Sequence, residues 1–265
     1  MIQYKTNDEI EFIRESSLLV SKTLAEVARH IKPGTTTEHL DKVAEAFIRD
    51  HGAVPGFKGY NGFPFSLCIS PNDVVVHGFP SKQELKEGEI LSIDCGVFKN
   101  GFYGDSAFTF AIGEVSDALK RLLKVTYQCL NLGIEKAVEG NFIGDISFAV
   151  QSCAERAGFS VVRDLVGHGI GRNLHEPPEV PNFGKAGKGL KLKEGLVLAV
   201  EPMINMGQRY VKLERDGWTI RTSDRKPSAH FEHTVAVKKD KADVLSTFSY
   251  IEVALKENRH NSIFV

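Results

Sequence analysis

Two periods alternate along the chain. Leu40, Val43, Ala44 and Phe47 recur at helical spacing, and an earlier periodic stretch runs from Asn7, placed to cap it, to the stop at Pro33 and Gly34. Thr35 and Glu38 have the spacing of a capping box for the second helix, and Gly52 stands where a C′ glycine would close it. A strand pattern then takes over at 66–70, 73–77, 89–98 and 102–112, with Asn100-Gly101 as a two-residue hairpin signal between the last two. The same order recurs. Helices are predicted at 116–138 and 144–157, followed by strands at 159–165, 196–206, 209–214, 218–222 and 231–238.

Laying the chain on itself accounts for the recurrence. At an offset of 106, Gly34 falls on Gly140, Leu40 on Ile146 and Gly52 on Gly158. At 107, "LKEGEILSIDC" (85–95) overlies "LKEGLVLAVEP" (192–202), so Asp94 and Glu201 end matching hydrophobic rises. The pattern predicts one α+β domain over 1–265, made of related units at about 7–112 and 116–238, with strands inside and helices outside.

Composition narrows the function more than the fold. A chain of 265 residues with 42% hydrophobic content can bury a large core. Its 33 basic and 34 acidic residues nearly cancel, which leaves no field for holding nucleic acid or an anionic membrane. The charged N-terminus lacks a signal-peptide h-region and no apolar run reaches bilayer length, so a soluble cytoplasmic protein is expected. Cys68, Cys95, Cys129 and Cys153 form no CxxC pair and read as reduced, buried thiols.

The matched acids carry the chemistry. A hairpin turning at Asn100 and Gly101 puts Asp94 opposite Ala107, and Asp105 on the same face in a diagonal pair spaced roughly 7–8 Å. Glu201 ends its strand, Glu232 lies in "AHFEHTVAV" with Phe231, His233, Val235 and Val237 on the other face, and "VGHGIG" presents His168 between glycines. Two carboxylates about 4 Å apart at an effective dielectric near 20 repel by roughly 4 kcal/mol, so a cavity holding four must neutralise them. Protonation could serve one or two. Lys99 is the only cation between Asp94 and Asp105. Two divalent ions match four carboxylates in charge, and oxygen ligands with one imidazole suit Mn²⁺, Fe²⁺ or Co²⁺, with Zn²⁺ as an alternative, over a thiolate site.

Four blocks, "SIDCGVFKNGFYGDSAFTF", "GHGIGRNLHEPPEVPNF", "LVLAVEPMINMG" and "SAHFEHTVAV", resemble those of type I methionine aminopeptidases over nearly the whole chain. The resemblance implies a pita-bread fold: two pseudo-twofold-related halves with a central antiparallel sheet and outer helices. It implies that Asp94 holds one ion, that His168 and Glu201 chiefly hold the other, and that Asp105 and Glu232 bridge them. An activated water would attack the scissile carbonyl, with Glu201 accepting a proton. His77 would contact the substrate near the scissile amide and His175 would stabilise the oxyanion. Tyr60, Phe63, Cys68 and Trp218 match the methionine pocket, with Phe63 where tyrosine is common. Phe57, Leu174 and His230 depart from positions where some members carry cysteine, phenylalanine and glutamine.

The implied activity is removal of N-terminal methionine from nascent chains before a small second residue, by a cytoplasmic monomer in transient contact with the ribosome. Two alternatives stand beside it: a related pita-bread peptidase cleaving X-Pro bonds, and a binding protein that keeps the fold without the chemistry. The first is weakened because such enzymes usually carry an extra N-terminal domain, the second because no ligand is missing. Singly, each acid, histidine or aromatic would read as an ordinary structural residue; their joint occurrence in order reverses that. His30, His39, His51, His233 and His260 keep the ordinary reading.

Overall fold

The computed structural model describes residues 2–258 and the backbone of 261–262; His260 lies outside them. Helices α1 (Asn7–His30), α2 (Thr37–Asp50), α3 (Asp117–Ile134), α4 (Ile143–Arg156) and α5 (Ser249–Glu257) accompany short antiparallel strands. The amphipathic faces determine how they pack. Val27 of α1, Leu40 of α2, Leu130 of α3 and Ile146 of α4 join the strand residues Ile93, Phe110, Leu198 and Val235 in one buried cluster.

The repeat read from the sequence is present in the backbone. Matched glycines share the left-handed region: Gly34 at φ 85° and Gly140 at 93°, Gly52 at 67° and Gly158 at 80°, Gly88 and Gly195 both at 87°. Glycine takes that conformation without the Cβ clash that other residues meet, so the same punctuation shapes both copies. In the first copy, strand Ile90–Lys99 pairs with Phe102–Ile112 across the Asn100-Gly101 turn, and Asp94 faces Ala107 as the turn predicts.

Several boundaries differ from the predicted ones. Thr6 caps α1, not Asn7, because Thr6 has the extended backbone from which its hydroxyl can accept the Glu9 N–H; the Glu9 carboxylate returns the bond. Thr36 caps α2 by accepting from His39 N–H, whereas the Thr35 hydroxyl donates to His30 O at 3.0 Å. α3 ends at Ile134 rather than 138. The region predicted as strand 159–165 keeps only Ser160–Val161, and a separate strand forms at Val166–Gly169. Strand Glu176–Pro181 is unforeseen because its prolines argue against a strand, and α5 lies beyond the last periodic segment recognised.

Two further corrections bear on function. The strand predicted at 196–206 is divided into Val197–Val200 and Met203–Asn205, and the one at 231–238 ends at Ala236 and follows a separate strand, Ser228–His230. The intervening residues include Glu201 and Glu232. Pro202 supplies no N–H to carry the first ladder onward. At the second break the chain turns toward the other half: Glu232 N–H donates to Ala107 O at 2.9 Å, Ser106 Oγ to Glu232 O at 2.7 Å, and Thr234 Oγ1 to Asp105 O at 2.8 Å. These bonds stitch the halves together beside Asp105.

Candidate metal centre and substrate cavity

Each acid reaches the centre by a different local device. Asp94 sits mid-strand, paired with Cys68 on one side and Ala107 on the other. Asp105 pairs with Gly96, and its carboxyl lies within hydrogen-bond reach of that of Asp94. His168 stands in strand Val166–Gly169, where Gly167 admits the neighbouring strand: a Cβ there would lie 2.4 Å from Ala199 O. His168 Nε2 is 3.5 Å from Glu201 Oε1 and 4.0 Å from Asp105 Oδ2.

The electrostatics are unfavourable without a cation. Burial pushes Asp94 up to about 7. Asp105 is raised well above the carboxylate range by burial and then by Glu232 and Asp94; Glu201 and Glu232 are raised by burial and by their acidic neighbours. Among the described residues no lysine or arginine lines the cavity. Among the described residues Asp94 Oδ1, Asp105 Oδ1 and Glu232 Oε1 are buried with no hydrogen-bond partner, an arrangement that costs free energy unless something receives those lone pairs.

The donor set fits a divalent cation. One ligand atom from each of Asp105, His168 and Glu232 lies within 4.8 Å of the others. His168 Nδ1 donates to Gly169 O at 2.9 Å, which leaves Nε2 unprotonated and facing the acids, the tautomer a metal requires. Burial lowers His168 to about 3, so the ring is neutral at physiological pH. The buried Cys68 thiol is pushed up by burial and then by Asp94, so it stays protonated and acts as apolar lining.

All eleven residues singled out from the sequence, the four acids and His168 together with His77, His175, Tyr60, Phe63, Cys68 and Trp218, line one cavity of about 350 Å³. His77 takes φ 57° at the end of strand Val74–Val76, a sparsely populated conformation for a residue with a side chain. Burial, and then His175, hold it down to about 4. The His175 ring packs 4.2 Å from that of His168, and its Nδ1 lies 2.8 Å from the Tyr60 hydroxyl. Phe63 meets Trp218 edge-on at 5.1 Å, forming an apolar wall.

Sequence reasoning missed part of the lining. Val76, Asp164, Leu165, Val166 and Met203 also face the cavity; their nearness in sequence to His77, His168 and Glu201 was the available signal. His230, whose role the sequence left open, is buried with Nε2 at 3.7 Å from Glu201 Oε2 and no hydrogen-bond partner. His233 stays outside the centre, bonded through Nδ1 to Ser246 Oγ at 2.6 Å.

The model of metallopeptidase family M24 matches residues 11–239. The chain is 51% identical to methionine aminopeptidase of Clostridium perfringens over 246 residues, covering 93% of this chain and 99% of that one. It superposes on the crystal structure of methionine aminopeptidase from Rickettsia prowazekii with TM-score 0.92 at 43% identity, covering 93% of this chain and all of the other. Prolidase from Pyrococcus furiosus, at 20% identity and TM-score 0.75, covers 92% of this chain and 65% of that one, a likeness of fold alone. The fold is the pita-bread arrangement that the family resemblance implied, in agreement with the repeat. A chain with this fold, this match and these converging acids belongs to metallopeptidase family M24.

Proposed function

We propose that this chain is a methionine aminopeptidase acting through Asp94, Asp105, His168, Glu201 and Glu232 as ligands of two divalent ions, with Co²⁺, Mn²⁺, Fe²⁺ and Zn²⁺ as the candidates. The observation that carries the reading is the sharing of one cavity by those five residues and an apolar wall. The ions would supply Lewis acidity and acidify the attacking water. Glu201 accepts its proton, a role that its place at the end of a strand, with Oε1 at 3.5 Å from His168 Nε2, supports. His77 contacts the scissile amide. His175, with Nδ1 accepting from the Tyr60 hydroxyl, keeps Nε2–H free to donate to the developing oxyanion.

Tyr60, Phe63, Cys68 and Trp218, with Phe57 and Leu174, hold the methionine side chain by apolar contact. The whole chain works as one catalytic unit of two related halves, cytoplasmic and monomeric, on N-termini of nascent polypeptides. A transient ribosome contact belongs to the same reading, since nascent N-termini emerge there. With Co²⁺ or Mn²⁺ the purified protein is expected to cleave Met-Ala-Ser but neither Met-Lys-Ser nor Ala-Pro. Preferential cleavage of Ala-Pro would overturn the assignment, and metal analysis of the purified protein identifies the ions.

A further inference from the structure

The segment before α1 is tied to the turn that presents His175. Lys5 Nζ and Glu176 Oε2 form an ion pair with side-chain exposures of only 4% and 2%. The other carboxylate oxygen of Glu176 accepts the Asn173 N–H at 3.1 Å, and Lys5 N–H donates to Gly195 O at 2.7 Å. One residue therefore touches both the 171–176 turn and the LKEG turn that opens the strand leading to Glu201. The fit is close: a Cβ on Gly171 would stand 2.4 Å from Lys5 Cε and 2.9 Å from Glu176 Oε1. A second tie to the same turn, Arg172 Nη2 to Glu9 Oε1 at 3.0 Å, lies at the surface.

Stability is a weak reason for such a pair. Desolvation of two buried charges offsets most of their attraction, although removing one partner strands the other. What the pair supplies is geometry. Glu176 directly follows His175 and is held at both carboxylate oxygens, so the turn cannot rotate without breaking a charged hydrogen bond. His175 needs that constraint, because its bond to Tyr60 and its packing on His168 come from two separate elements, the turn at Tyr60–Gly62 and strand Val166–Gly169.

We propose that Lys5 is a positioning residue for His175, acting through Glu176. The proposal rests on the oxyanion role given to His175 above. An ångström of misplacement at a reacting group can cost up to about a hundredfold in rate, so Lys5→Met is expected to lower kcat on Met-Ala-Ser about thirtyfold with KM changed less than about twofold. Glu9→Gln, at the surface tie, is expected to change kcat less than about twofold. The double variant Lys5→Met/Glu176→Gln removes the stranded charge; its melting temperature recovers while kcat does not. Joint recovery of both would make the pair structural only and overturn the proposal.

Two measurements locate the effect at His175. In a His175→Ala background, Lys5→Met is expected to cost less than about a further twofold, because residues acting through one another are not additive; another thirtyfold loss overturns the proposal. In the metal-free protein, Lys5→Met should move the imidazole NMR resonances of His175 and leave those of His77 in place. Unmoved His175 resonances in the folded variant overturn it whatever the kinetics. If His175→Ala alone turned over normally, the oxyanion role would fall, while the resonances would still decide whether Lys5 positions the ring.

Discussion

The two copies of the LKEG unit make a controlled comparison. In the first, the chain runs through Asp94 without interruption, and the acid is held by neighbours on both sides of an extended hairpin. In the second, Pro202 halts the ladder and Glu201 projects from its end. A strand paired on both sides gives a short, rigid mount suited to an aspartate. A strand end gives a longer, less restrained carboxylate a wider reach, which suits the cation-binding and proton-accepting role proposed for Glu201. A shared sequence pattern has thus been adapted to two mechanical tasks.

Removing the acids is the strongest way to break that comparison. Glu201→Ala and Asp105→Asn are expected to abolish turnover, lowering kcat at least about thousandfold, while circular dichroism shows a folded protein. Asp94→Asn removes a ligand but no proton acceptor, so its residual kcat should exceed that of Glu201→Ala; equal residual rates at equal metal content would remove the separate role of Glu201. His175→Ala, which takes away one oxyanion donor contributed by the second half, should lower kcat about a hundredfold with a smaller change in KM. Retention of normal kcat would dismiss that donor.

The glycines extend the comparison to packing. A methyl group on Gly167 would meet the Ala199 carbonyl at 2.4 Å, whereas on Gly96 it would meet the Phe57 ring at 2.5 Å. Backbone in a ladder cannot withdraw, while a side chain can turn, so Gly167→Ala should destabilise by about 3 kcal/mol and Gly96→Ala by about 1 kcal/mol in denaturant melts. The reverse order would mean that the Phe57 ring is the more firmly held of the two.

The smallest expected effect is a pH dependence of the metal-free protein. Asp94, at about 7, and Asp105, Glu201 and Glu232, raised well above the carboxylate range, hold protons that the unfolded chain has lost, so stability falls as pH rises from the unfolded carboxylate range through the folded one. His77, lowered to about 4, and His168, His230 and His233, lowered to about 3, act in the opposite sense: their contribution is complete above the unfolded histidine value and is lost as pH falls through the folded ones. Above about pH 7 the histidines no longer act; Cys153, lowered to about 7 beside Cys129, opposes the carboxylates there, while the raised Cys68 and Cys95 act with them and the balance stays with the acids. The melting temperature of chelator-treated protein should therefore fall from pH 7 to 9, and added divalent metal should flatten that slope. A flat profile without metal would contradict the crowding of the acids.

Much of this was legible beforehand because it is local. The Asn100-Gly101 signal gave the pairing of Asp94 with Ala107 correctly, since a two-residue turn leaves the register no freedom. Helix caps were misread by one residue at Thr6 and Thr36, where neighbouring polar side chains offer equivalent chemistry and only the backbone angle separates them. The breaks at Glu201 and Glu232 were read as continuous strands because their flanks are apolar on both sides. Lys5 and Glu176 went unnoticed, being single charged residues 171 positions apart with no periodic pattern to link them.

By itself, then, the sequence determined the repeat, the hairpin register, and the kinds and order of side chains that could bind metal, because spacing and turn chemistry act over a few residues. Only the tertiary structure decided that Glu232 turns in beside Asp105, that four acids lose their water together, and that the N-terminal segment grips the His175 turn. Those outcomes depend on contacts between distant parts of the chain, and the burial that shifts the acids exists only once the two halves have closed on each other.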